Sequence, residues 1–272
     1  MKSAEEPAVT AYDDSGKLTH RGYVWLEGAK AVSIGDASMT KSGQLVIAGG
    51  THDADGVIAN FIGMPGKDGH LSQMVRTSPF LPAYICPADD GTVWSYGIDR
   101  DVNLRSVPGG SLLRPFSFTN GQVQAVNTSG LAQGWWRLLQ GRHPGVVSLY
   151  CNSNTVTLYN DDAHQLARLD IGSGTLKIID VVPRPEATDI TGIALTSSGD
   201  LFASYLFPKR VPPVFGLFRL AVSNSGQGKW LMVGGTLGTQ GGENGVAQLV
   251  GTDGDDLVYR RNTRGGAVFW SK

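Results

Sequence analysis

Apolar and polar residues alternate along most of the chain in short runs, and Gly, Asn, Asp and Ser separate one run from the next. Short runs that alternate with a period of two and are rich in β-branched and aromatic residues predict strands with one buried face. Helical periodicity is nearly absent, because the best helical candidate, Leu131–Gln140, is short and contains a glycine. The pattern therefore predicts an all-β chain.

A turn followed by an apolar strand recurs at intervals of about 45–60 residues, which is typical of a repeat architecture. The copies begin at Ser42, Asp90, Ser153, Ser198 and Asp253. A second hairpin follows in each unit, so that one unit supplies four antiparallel strands, as in a β-propeller blade. We therefore predict a single domain over residues 1–272, a β-propeller of five four-stranded blades, or of six if Ala267–Trp270 belongs to an incomplete further blade.

The two ends of the chain are expected to complete one blade together. Ala8–Leu26 has the pattern of a second hairpin with no first hairpin before it, and Gly245–Asn262 has the pattern of a first hairpin. Pairing the two in one blade would close the ring and remove the unpaired edges that make open sheets prone to association.

Composition changes this picture in two ways. The chain has 37 glycines among 272 residues, about twice the usual share, and tight turns at positive φ account for nearly all of them. The formal net charge is −1, and only 17% of residues are charged. The chain therefore has no electrostatic reason to bind nucleic acid or an anionic membrane, because both need a concentrated basic face, and we expect neither as a partner.

The same composition bears on location. No apolar run approaches the roughly 20 residues of a membrane helix, so we expect no membrane insertion. A polar surface with few charges favours an extracytoplasmic protein, periplasmic or secreted, whose leader has been removed. A cytoplasmic location is the alternative, and a monomer is expected in either case.

Two segments suggest a family. Ile190–Ser204 and Pro87–Ser95 each contain an apolar strand, a short turn with glycine and a second apolar or aromatic strand. They resemble the repeats of the NHL and SMP-30/gluconolactonase-like propeller superfamily. The resemblance implies a propeller fold and, because lactonases of this superfamily hold a metal through carboxylate and amide ligands, it suggests a similar site in the central channel.

Polar residues at the ends of the predicted inner strands are the candidates for such a site: Asp36, His143, Asp189, Glu243 and Asn244. Oxygen ligands of this kind could hold a divalent cation such as Ca²⁺, with Asp36, Asp189 and Glu243 as ligands. They could also place an acid and a base across a bond. Alternatively, they are polar residues around the mouth of a water-filled channel. No other cofactor is indicated.

Tryptophan gives a second candidate site. Trp135 and Trp136 lie in an insertion, Leu131–Gly141, where they could form an exposed platform for a sugar or a peptide ring, or fill the base of the ring of blades. The remaining tryptophans lie on predicted strands and are expected to pack between blades: Trp25, Trp94, Trp230 and Trp270.

The two cysteines, Cys86 and Cys151, occupy similar positions on consecutive inner strands. Facing sheets lie roughly 10 Å apart, which is too far for a disulfide unless the strands converge. We therefore expect two buried free thiols.

Two functions are compatible with the sequence. The first is a non-catalytic propeller that binds a protein partner, a small molecule or a glycan at the channel face. The second is a hydrolase of the lactonase or glycosidase type that uses the channel carboxylates, with or without a metal. Converging carboxylates of Asp36, Asp189 and Glu243 would favour the hydrolase, and exposed indoles of Trp135 and Trp136 would favour the binding protein.

Overall fold

The computed structural model describes the chain except for residues 1–7, 13–16, 54–57, 104, 109, 123–125, 129, 132–134, 136–146, 162, 183–188, 208–213, 240–246, 264–265 and 272. The described residues form strands and turns almost throughout, which confirms the all-β prediction. Within them, no helix has both the length and the apolar character needed to cross a membrane.

Four sheets contain four strands each, and in each sheet the strands are neighbours in chain order. The first contains β3 (Ala29–Met39), β4 (Leu45–Asp53), β5 (Ile58–Pro65) and β6 (Leu71–Arg76). The second contains β7 (Phe80–Pro87), β8 (Val93–Asp99), β9 (Leu113–Ser117) and β10 (Gly121–Gln122). The third contains β11 (Val147–Cys151), β12 (Thr155–Asn160), β13 (Gln165–Asp170) and β14 (Thr175–Asp180). The fourth contains β15 (Asp189–Leu195), β16 (Leu201–Phe207), β17 (Val214–Val222) and β18 (Gly228–Thr239).

The ends of the chain form smaller sheets. β1 (Ala8–Tyr12) pairs with β2 (Leu18–Tyr23), and β19 (Ala247–Asp253), β20 (Asp256–Thr263) and β21 (Gly266–Ser271) form a three-stranded sheet. Among the described pairings, none joins the β1–β2 pair to the sheet of β19, β20 and β21. The number of blades and the shared closing blade therefore stay predictions.

The chain divides into two compact units. Unit 1 contains residues 1–140, 151–156 and 169–176, and unit 2 contains residues 141–150, 157–168 and 177–272. Each unit has its own apolar clusters of buried residues. The single domain over residues 1–272 stays a prediction.

Five of the described hairpin turns share one backbone geometry. In each, the first residue donates its N–H to the carbonyl of the fifth, and a glycine in fourth position donates to the carbonyl of the first. These glycines have φ between 80° and 85°, a region that side chains with a Cβ disfavour. The turns span residues 40–44, 66–70, 88–92, 196–200 and 223–227. The structural role expected for the repeated glycines is thereby confirmed at Gly43, Gly91 and Gly199.

The inner strands of unit 1 are interrupted by bulges. The register of β3 against β4 shifts between Ile34 and Asp36, and the register of β7 against β8 shifts between Pro82 and Tyr84. A bulge adds one residue to one strand and bends it towards its partner. The partner of Ile34 is Gly49, and a Cβ at this position would overlap the carbonyl oxygen of Ser33. Glycine is therefore required opposite the bulge.

The apolar core of unit 1 lies between its two sheets. Ala48 and Ile62 on the first sheet pack against Phe80, Ile85 and Val93 on the second, and all five are buried. The opposite face of the first sheet is covered by Val24 and Leu26. Trp94 and Trp230 are buried as expected, whereas Trp25 is 46% exposed and corrects the expectation that it packs between blades. The side chain of Trp270 lies outside the described residues.

The expectation of two free thiols is wrong, because Cys86 and Cys151 form a disulfide within unit 1. Their Cα atoms are 5.8 Å apart, which is within the range that a disulfide can span. The spacing of about 10 Å applies to the faces of stacked sheets. It does not apply where β7 and the end of β11 approach each other.

We expect Gly49→Ala to lower the free energy of unfolding by roughly 3 kcal/mol, because the added methyl group displaces the backbone of β3. Gly35→Ala in the same bulge is the matched control, since its Cβ would meet only Ala48 O at 3.8 Å, and it should cost less than about 1 kcal/mol. Urea denaturation measures both values. Equal stability of the two variants would contradict the close approach.

Replacing both cysteines by alanine should lower the free energy of unfolding by about 4 kcal/mol. The disulfide joins residues 65 positions apart, and opening a loop of this length restores chain entropy to the unfolded state. The protein produced under oxidising conditions should show no reactive thiol when it is unfolded without a reductant. Two titratable thiols in that experiment would be incompatible with the disulfide.

Candidate functional site

A cavity of about 260 Å³ lies where the first and second sheets of unit 1 meet. Its floor is a row of three residues on neighbouring strands, because Ser33 pairs with Gly50 and Gly50 pairs with Asn60. Residues directly opposite each other in a sheet share a face. The central position of this row has no side chain, so the gap between Ser33 and Asn60 stays open.

The glycine explains why the apolar core does not extend into this gap. In the adjacent row, Ala48 lies between Asp36 and Ile62 and belongs to the packed core. A Cβ on Gly50 would lie 3.5 Å from Ser33 Oγ and 3.7 Å from Asn60 Oδ1, which are ordinary contact distances. A larger residue at this position therefore fits the backbone and would fill the cavity.

The walls of the cavity carry polar groups. Asn60 is buried, His52 is exposed at the rim, and Ser33 Oγ donates to the carbonyl of Gly50 over 3.2 Å. Leu81 and Pro82 on β7 and Arg100, which directly follows β8, also line the cavity.

Arg100 contributes a polar group that is unusual for a protein interior. Its Nε is buried and has no hydrogen-bond partner among the described residues. A buried donor without a partner costs about 1–3 kcal/mol, so such groups are rare in folded proteins and call for a specific explanation. Arg100 therefore brings a guanidinium whose hydrogen-bonding capacity is only partly used to the wall of the cavity.

Asp36 lies in the row next to the floor of the cavity. Its Oδ2 accepts a hydrogen bond of 2.7 Å from the backbone N–H of Ile85 on β7. Burial raises the pKa of the Asp36 carboxyl, and the N–H groups of Ile85 and Ala37 oppose this shift. Burial, together with the charge of Asp36, raises the pKa of Tyr84 to about 12. Asp36 therefore connects the inner strands β3 and β7.

Trp135 belongs to the core of unit 1, which corrects the expectation of an exposed platform at this residue. Its side chain is fully buried, and its ring lies edge-on to that of Tyr96 with centroids 5.8 Å apart. The hydroxyl of Tyr96 donates to the carbonyl oxygen of Trp135. Trp135 is therefore not accessible to a ligand, and Trp136 lies outside the described residues.

The remaining residues expected at the channel are placed only in part. Asp189 begins β15, but its side chain lies outside the described residues, as do His143, Glu243 and Asn244. The described residues contain no group of three His, Cys, Asp or Glu side chains positioned to hold a metal ion. The divalent cation and the convergence of carboxylates stay predictions.

Sequence reasoning missed the cavity and its lining residues Ser33, His52, Asn60 and Arg100. A signal was present, because Gly49 and Gly50 lie in the interior of a strand, where glycine often marks a bulge or the close approach of a ligand. Assigning nearly all glycines to turns concealed it. Arg100 carried no comparable signal, since it follows Asp99 in a polar connection.

No protein-family model matches the chain, and no curated protein matches it in sequence. Among solved structures, that of U3-55K is 9% identical, covers 97% of this chain and 92% of its own, and has a TM-score of 0.51. Nidogen in its laminin complex is 10% identical, and the match covers 97% of this chain and 88% of the nidogen chain, with a TM-score of 0.48. Hydrazine synthase of Kuenenia stuttgartiensis is 13% identical, and the match covers 95% of this chain and 68% of the synthase chain, with a TM-score of 0.47.

The fold assignment rests on U3-55K, and it indicates a β-propeller. At these identities the likeness concerns the fold alone, since propellers host unrelated functions. The comparisons do not identify an NHL or gluconolactonase-like protein, so that resemblance stays a prediction.

The raised pKa of Asp36 predicts how Asp36→Asn changes stability with pH. Ionising the buried carboxyl disfavours folding, and this cost is absent below the unfolded pKa of 3.8 and complete above the folded pKa. The amide oxygen of the substituted side chain can still accept the Ile85 N–H. We therefore expect the free energy of unfolding of the variant, relative to the wild type, to rise between about pH 3 and pH 7.

Asp170→Asn is the control, because hydrogen bonds from Ser173 lower the pKa of Asp170. The difference should then fall as the pH rises to about 5 and stay constant above that pH. Urea denaturation at several pH values measures both. A difference for Asp36→Asn that is independent of pH would contradict the assignment.

Proposed function

We propose that the protein is a non-catalytic, extracytoplasmic β-propeller that binds a small molecule carrying a carboxylate in the cavity of unit 1. The observation that carries the proposal is Arg100, which lines the gap left open by Gly50 and whose buried Nε has no hydrogen-bond partner among the described residues. A guanidinium matches a carboxylate in charge and in the geometry of its donors.

The cavity limits the size of the ligand. A volume of about 260 Å³ is slightly below the roughly 300–1,000 Å³ typical of ligand pockets, which suits a small organic acid. Asn60 and Ser33 offer hydrogen bonds to hydroxyl groups of such a molecule, and His52 lies at the rim. A few polar groups in a concave site are typical of small-molecule binding.

The disulfide between Cys86 and Cys151 supports an extracytoplasmic location. Structural disulfides persist in oxidising compartments and are rare in the reducing cytoplasm. The absence of nucleic-acid and membrane partners and the monomeric state remain parts of the proposal.

Binding should depend on both Arg100 and the space above Gly50. We expect succinate, lactate, glutamate or glucuronate to bind the wild type, and the corresponding amides or alcohols to bind at least about tenfold more weakly, since a hydrogen bond to a charged group contributes about 1.5–3 kcal/mol. Arg100→Gln should weaken binding of the acid by a similar factor. Gly50→Val should abolish it by filling the cavity. Isothermal titration calorimetry measures each affinity.

Two variants serve as matched controls for these measurements. Arg219→Gln removes an arginine of unit 2 that is paired with Asp200 on the surface, and Gly251→Val adds a side chain where a Cβ has no neighbour within 4 Å. Both should leave binding unchanged. Binding that survives Gly50→Val in a folded protein would contradict the proposed site.

A hydrolase is the second candidate, and the raised pKa of Asp36 beside the cavity favours it. A protonated carboxyl is what a general acid requires, and Tyr84 adds a neutral phenol nearby. Assays with lactones and aryl glycosides test this candidate. Turnover by the wild type that Asp36→Asn eliminates, with unchanged folding, would replace the binding function by a catalytic one.

A further inference from the structure

An aromatic surface of unit 1 lies at the outer edge of its first sheet, where the chain leaves β2. Tyr23 is 50% exposed and Trp25 is 46% exposed, whereas Val24 between them is buried. Alternation along an extended segment places Tyr23 and Trp25 on the same side. Two large aromatic side chains therefore face solvent next to each other, and we call Tyr23, Trp25, Asp68 and His70 the aromatic surface.

The backbone of this segment is held in place by β6. The N–H of Trp25 donates to the carbonyl of Gly69, and the N–H of Leu71 donates to the carbonyl of Trp25, each over 3.1 Å. Val24 packs in the apolar cluster with Phe61 and Leu71. A Cβ at Gly69 would overlap the carbonyl oxygen of Tyr23, so this close approach also requires glycine.

The indole of Trp25 is oriented before any ligand binds. Its Nε1 donates to the carbonyl oxygen of Asp68 over 3.2 Å, and its ring lies 4.4 Å from the ring of His70. Fixing an exposed side chain in one orientation costs conformational entropy during folding. The same fixation lowers the cost of ordering that side chain on binding, which is the advantage of a preorganised site.

Polar groups adjoin the indole. Asp68 is exposed, and its Oδ1 accepts the backbone N–H of His70 over 3.0 Å. The carboxylate therefore offers further acceptor positions to solvent beside the ring, since an ionised carboxylate has about four. A ligand suited to this surface has an apolar face for the indole and hydroxyl donors for the carboxylate.

A sugar ring combines these two properties. The C–H groups of a pyranose with equatorial hydroxyls form two apolar faces, and its hydroxyls extend from the rim as donors. A proline-rich peptide also packs on aromatic rings, but proline has no backbone N–H to donate to Asp68. The exposed carboxylate of Asp68, the residue whose carbonyl accepts the indole N–H, thus favours the sugar.

We propose that the aromatic surface binds a glycan built of pyranose rings with equatorial hydroxyls, with one ring stacked on Trp25 and its hydroxyls bound by Asp68. Tyr23 lies two residues away on the same side and contacts the next ring of the chain. This site is separate from the cavity at Arg100, because it lies at the outer edge of the sheet and uses none of the residues that line the cavity.

Cellohexaose is the probe, and isothermal titration calorimetry of the wild type measures its affinity. We expect Trp25→Leu to weaken binding by at least about tenfold, because leucine retains an apolar side chain and loses the flat ring. Asp68→Asn should weaken it about threefold, since a charged acceptor becomes a neutral one. Tyr23→Ala, which leaves the contacts of Trp25 in place, should weaken it by an intermediate factor.

Met39→Leu is the matched control, because Met39 is 52% exposed on β3 of the same unit. This variant should bind cellohexaose like the wild type. Thermal unfolding of each variant establishes that it is folded. If Trp25→Leu does not fold, the affinity of Tyr23→Ala decides the outcome. The proposal is overturned if cellohexaose does not bind the wild type, if Trp25→Leu and Tyr23→Ala bind it unchanged, or if decaproline binds this surface in its place.

Discussion

The bulge in β3 is the constraint on which the candidate site depends. In a regular strand, Ser33 and Asp36 would lie on opposite faces, because side chains alternate with a period of two. The additional residue between Ile34 and Asp36 places both on the face that meets the second sheet. Asp36 then reaches the N–H of Ile85, while Ser33 and Gly50 form the floor of the cavity.

The bulge in turn depends on glycine. The carbonyl of Ser33 bends towards Gly49 at a distance that excludes a Cβ, and the next residue, Gly50, leaves the centre of the floor open. Two adjacent glycines thus have different roles, since the first permits a backbone geometry and the second provides volume. Beyond this row the sheets are joined by apolar packing of Ala48, Ile62 and Phe80.

The cavity and the aromatic surface share one physical feature. At Arg100 a buried donor lacks a partner among the described residues, and at Trp25 an indole is held in a fixed orientation while almost half of it remains exposed. Each arrangement costs free energy in the unliganded protein, and a ligand would recover that cost. Asp36 differs from both, because its carboxylate is engaged by a backbone N–H and supports the packing of β3 against β7.

The sequence by itself determined the strands, the glycine turns and the repeat of four-stranded units. These features are local, since they follow from the alternation of side chains and from the φ angle of single residues such as Gly43 and Gly91. The sequence also located Asp36 on an inner strand. The sequence predicted that Trp25 lies on a strand and packs between blades, whereas it follows β2 and is exposed.

Only the tertiary structure decided which residues meet. The disulfide of Cys86 and Cys151, the burial of Trp135 and the position of Arg100 beside Gly50 all join segments that are far apart in the chain. Their distances depend on how closely the sheets pack and on where a bulge shifts the register. A shift of one residue exchanges the two faces of a strand, and the pattern of apolar and polar residues does not specify where that shift occurs.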